Sequence, residues 1–112
     1  MTNEKNSKPI YDLEERTAVF GENTIKFCKK IPRNPITDPL ITQLTKSSTS
    51  VGANYCEADD AESKKDFIHK IGICKKEARE TKHWFRMIAT AVEDLKPEAH
   101  TLARSKRIKF NL

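Results

Sequence analysis

The feature that most limits how this chain can fold is one long apolar stripe: Phe67, Ile71, Cys74, Ala78, Thr81, Phe85, Ile88, Val92 and Leu95. Its members recur at alternating steps of four and three, which places them on one face of an α-helix. No break interrupts the pattern for about 30 residues, or roughly 45 Å at the helical rise. Ser63 three residues ahead of Asp66 gives it a capping-box-like start.

Two shorter stripes precede it. Leu13, Thr17, Phe20, Thr24, Phe27 and Ile31 form the first, widened by Ala18 and Ile25, and Pro32 and Pro35 end it. Asp38 followed by Pro39 reads as a cap residue with proline at the first helical position. It opens a second, partly polar stripe of Leu40, Leu44, Ser47, Val51, Asn54 and Ala58. After a turn at Asp94, Lys96 and Pro97, residues Ala99, Ala103, Lys106 and Phe110 give a short, poorly apolar fourth segment. Only 3 Gly and 5 Pro with 33% charged residues suit helices better than a sandwich or barrel. Short connections make neighbouring helices antiparallel. The expected fold is therefore all-α: an up-down-up-down four-helix bundle over residues 10–112, with a short fourth helix and a disordered tail over 1–9.

The N-terminal MTNEKNSKPI is polar where a secretory signal needs an apolar core, and no apolar run is long enough to cross a bilayer. A cytoplasmic protein is expected. Cys28, Cys56 and Cys74 are odd in number and without a Cys-x-x-Cys, so they read as reduced thiols.

The long helix has two unlike flanks. Ile73, Glu77, Glu80, Trp84 and Met87 lie to one side of its core stripe, whereas Lys75, Arg79, Lys82 and Arg86 lie to the other. As plain bundle shoulders they would be a tryptophan over the core and solvated charges. As a contact surface, the acidic-aromatic edge of one subunit would meet the basic edge of the next, a heterologous contact able to close into a ring.

Charge is also uneven along the chain. Residues 1–60 carry eight Lys and Arg against nine acids, whereas residues 61–112 carry 13 against seven. Arg104, Lys106, Arg107 and Lys109 close the chain with no acid among them. Together with the basic flank they are the candidate contacts to the phosphates of RNA or DNA, made without reading sequence.

On the second stripe Asn54 needs partners, and Ser47, Ser50, Glu57 and Thr81 are the candidates for a polar network that fixes helix register. Glu80-x-x-His83 has the spacing of di-iron bundles, but it lacks an inward second copy and His83 falls on the outer face. No catalytic, cofactor or metal constellation is expected.

Gln43-Leu44-x-x-Ser47, SVGANYCE over 50–57, DFIHK over 66–70 and KEARETKHWF over 76–85 together resemble the proteins encoded in intervening sequences of bacterial large-subunit ribosomal RNA genes. They are similar as well to the accessory variability proteins of diversity-generating retroelements. Phe85 departs from that pattern, where leucine is usual after the tryptophan. The resemblance implies a four-helix bundle, assembly into homopentameric rings and basic surfaces. The expected function is a non-enzymatic homo-oligomer, pentameric by that resemblance, that contacts RNA, DNA or a nucleic-acid-processing protein away from any membrane. The alternative is a protein-protein interaction module that binds no nucleic acid.

Overall fold

The structure, a computed structural model, describes residues 12–104. The expected tail over 1–9 lies outside them. Four helices run in order: α1 Leu13–Cys28, α2 Thr37–Asp59, α3 Lys64–Ala91 and α4 Lys96–Ala103, with a single 3-10 turn at Glu93–Leu95 ahead of α4. The chain is an all-α bundle with a short fourth helix. Leu44 near the start of α2 shares a cluster with Phe85 and Ile88 near the end of α3, and Ala58 near the end of α2 meets Ile71 near the start of α3. The two helices are therefore antiparallel. α2 packs along both α1 and α3, while α4 packs on α3. The molecule measures 49 × 30 × 18 Å.

Several helix ends depart from expectation, that of α1 among them, which stops at Cys28 with Ile31 beyond it. α2 begins at Thr37, one residue before the proposed cap Asp38. Its start is organised by Asn34, whose Oδ1 accepts from the backbone N–H groups of Ile36 and Thr37, each at 2.9 Å. Asp38 instead pairs with Arg33 at 3.0 Å, and Pro39 sits in the first turn, where its missing N–H has no intrahelical partner to lose. α3 ends at Ala91, because Val92 turns to extended geometry, and Val92 and Leu95 continue the stripe from outside the helix, half-buried against the same cluster. The start of α3 follows expectation: Ser63 accepts from the Asp66 N–H at 3.0 Å.

The core is divided. Phe27, Cys28, Ile31, Leu44, Phe85, Ile88, Ala89 and Ala99 fill one end, with the Phe27 and Phe85 rings edge to face at 5.5 Å. Val51, Ala58, Ile71 and Cys74 fill the other, flanked by Phe20, Tyr55 and Phe67. Between them lie the buried hydroxyls of Thr24, Ser47, Ser48 and Thr81. Nearby, the α1–α2 contact is close because it is built from small residues. A Cβ on Gly52 would stand 3.4 Å from Thr17 Oγ1, and one on Gly21 would stand 3.6 Å from the Ser48 carbonyl oxygen. Ala18 and Ile25, read as widening the first stripe, are exposed on the outer side of this contact.

Candidate functional site

α3 carries eight Lys and Arg against three acids. Its buried face is set by Ile71, Cys74, Thr81, Phe85, Ile88 and Ala89. About 95° round the helix from that face, Lys75, Arg79, Lys82 and Arg86 are all exposed and fall within an arc of about 60°. Lys64 is exposed on the same row, 11 residues before Lys75 as Lys75 is 11 before Arg86, a spacing of three turns plus about 20°. That recurrence is the sequence signal for Lys64, which lies beyond the flank of Lys75, Arg79, Lys82 and Arg86. Lys76 and His83 widen the exposed face on one side.

None of these cations forms an ion pair with another described residue. The ion pairs of the described residues include Lys30–Glu98, Arg33–Asp38 and Lys70–Glu57. Lys70 is the one α3 cation so engaged, 2.7 Å from Glu57, and the hydrogen bond to that carboxylate raises its pKa. Of the C-terminal candidates, Arg104 is exposed at the end of α4, and Lys106, Arg107 and Lys109 lie outside the described residues.

The opposite edge is less open. Ile73, Glu77, Trp84 and Met87 are half-buried and Glu80 is exposed. Trp84 packs against the Phe27–Phe85 cluster, and its ring meets that of His83 at 4.8 Å. Its Nε1 is buried without a hydrogen-bond partner among the described residues.

The five-residue polar network contracts to one pair. Thr81 Oγ1 lies 2.9 Å from Ser47 Oγ and 2.8 Å from the Glu77 carbonyl oxygen, with both residues buried. Asn54 is half-buried and donates to the Ser50 carbonyl of its own helix at 2.8 Å, and the Ser50 hydroxyl turns back to the Lys46 carbonyl at 2.7 Å. Glu57 is exposed and belongs to Lys70. The physical reason is local: a short polar side chain inside a helix finds the carbonyl four residues back more easily than a partner on another helix.

Away from the cationic face, a shallow groove of about 310 Å³ runs between α1 and α2, lined by Glu14, Glu22, Ile25, Gly52 and Cys56 among others. Glu80 and His83 are both exposed, and among the described residues no three His, Cys, Asp or Glu side chains gather as a metal would need. No described helix is long and apolar enough to cross a membrane.

The fold and this surface define a class: an all-helical bundle protein with a continuous cationic face on its longest helix. The chain belongs to the 23S rRNA-intervening sequence protein family, whose model matches residues 12–106. It is also similar to a protein of unknown function from the S23 ribosomal protein family of Bacteroides thetaiotaomicron, solved as a crystal structure. The two are 25% identical with a TM-score of 0.69, over 81% of this chain and 84% of that one. No curated protein matches the chain.

Proposed function

We propose that this protein is a non-enzymatic homo-oligomeric scaffold, a pentameric ring, that contacts RNA or DNA through the cationic face of α3. The observation that carries this reading is the row Lys75, Arg79, Lys82 and Arg86, exposed on one helix and without an ion pair among the described residues. Lined-up like charges repel one another, and an external polyanion relieves that repulsion by displacing condensed counterions. A plain solvated helix face pairs such cations with acids a turn away. Here the acids Glu77 and Glu80 sit on the other edge, where they suit contact with a neighbouring subunit.

Reversing Lys75, Arg79, Lys82 and Arg86 to glutamate tests the reading. The substitutions leave the buried face untouched, so helical content by circular dichroism is expected to hold while binding to a mixed-sequence nucleic acid falls at least about a hundredfold at low salt. Wild-type binding is expected to weaken linearly in log salt. Unchanged binding in the variant would remove α3 from the contact, and no binding by the wild type would favour a protein-only interaction module.

A further inference from the structure

We infer that the nucleic acid this face accepts is a double helix held by its phosphate backbone, and that single strands are poor ligands; the inference rests on the reading of α3 as the contact surface. Proteins that hold single strands combine a charged groove with aromatic side chains on which bases stack. The cationic face offers neither. It is the outer surface of a helix and therefore convex, and the groove between α1 and α2 lies elsewhere, with Glu14 and Glu22 in its lining. The described aromatic side chains are all engaged in packing. Phe27, Phe85 and Trp84 belong to one apolar cluster, and Phe20, Tyr55 and Phe67 belong to the other.

What the face does offer is a ruler. Lys64, Lys75 and Arg86 recur every 11 residues along one row, spanning about 33 Å, with Arg79 and Lys82 between the last two. The row is rigid because the adjoining face of α3 is buried from Ile71 to Ala89. A flexible single strand has to be ordered onto such a line, at a loss of conformational entropy, whereas a duplex presents phosphates already held in place. Duplex RNA in particular is recognised mainly through shape and backbone contacts. Ile68 and Gly72, exposed between Lys64 and Lys75, leave room for close approach without adding an acid.

The experiment is a fluorescence-anisotropy titration of the full chain with labelled mixed-sequence duplexes of about 20 base pairs, in RNA and in DNA, and with unstructured single strands of the same length; at 3.4 Å per base this is roughly twice the span of the row. Duplex is expected to bind at least about tenfold more tightly than single strand at equal salt. Its log–log salt slope is expected near −0.9 for each cation engaged, falling by about 1 for each of Lys75→Gln, Arg79→Gln, Lys82→Gln and Arg86→Gln. Trp84, the one tryptophan of the chain, provides an independent readout from the far edge of α3. Its emission should be unchanged by duplex, and quenching by single strands would signal stacking. Single strands bound as tightly as duplex would overturn this inference while leaving nucleic-acid contact in place. Absence of binding to every probe would overturn both.

Discussion

Cys74 is fully buried, and burial pushes its thiol up to about 11 from the ordinary value of 9.0. Cys28 is shifted in the same direction, also by burial, with the Thr45 hydroxyl opposing in part. The folded chain therefore keeps protons that the unfolded chain releases from about pH 9 upward. Stability from these thiols is intact below about pH 9 and is lost as pH climbs through about 11. The urea midpoint is expected to drop between about pH 8 and pH 10.5, and to drop less in Cys74→Ala, although that variant begins lower because it opens a small cavity. An equal pH dependence in the variant would assign the loss to other groups. At this scale the sequence disclosed which residues are buried better than it disclosed what they bond. Thr81 and Ser47 were legible because both lie on core stripes. Asn54 was misread because periodicity places a side chain on a face and carries no information about a bond to its own backbone.

The helices themselves were legible because each has a sustained period, and α3 above all. Their ends were less so, since an end depends on loop chemistry that no period records: the Asn34 side chain that opens α2, and the extended Val92 that stops α3 without Gly or Pro. Gly72 provides a test of how far α3 is held by packing and how far by its own propensity. It lies inside the helix, exposed, and a Cβ there would meet nothing within 4 Å. Gly72→Ala should therefore stabilise by about 0.5–1 kcal/mol, through lower unfolded-state entropy alone. Chemical denaturation measures it, and a destabilised variant would show that something approaches this face closely in solution.

For the whole molecule, the asymmetry of charge between the two halves of the sequence became an asymmetry of surfaces, because the basic half contains α3. Which surface would meet another subunit was not legible, since half-burial of Trp84 against its own cluster is compatible with either role. Two variants separate these roles by light scattering coupled to size exclusion. Trp84→Ala truncates a large anchor, a change that at an interface commonly costs about 2 kcal/mol or more, and it should lower the mass toward 12.8 kDa. Glu80→Lys, on an exposed position of the same edge, should lower it without unfolding. An oligomer intact in both would move the contact to another surface. The divided core has a mechanical meaning. The hydroxyls of Thr24 and Ser48 each bond a carbonyl of their own helix, so midway along α1 and α2 these side chains tie neither helix to the other. Alignment of α1 on α2 there rests on the close packing at Gly21 and Gly52 and on the two apolar ends, so a bulky side chain added at either glycine would wedge the pair apart, whereas α2 is pinned to α3 at mid-length by the Ser47–Thr81 bond.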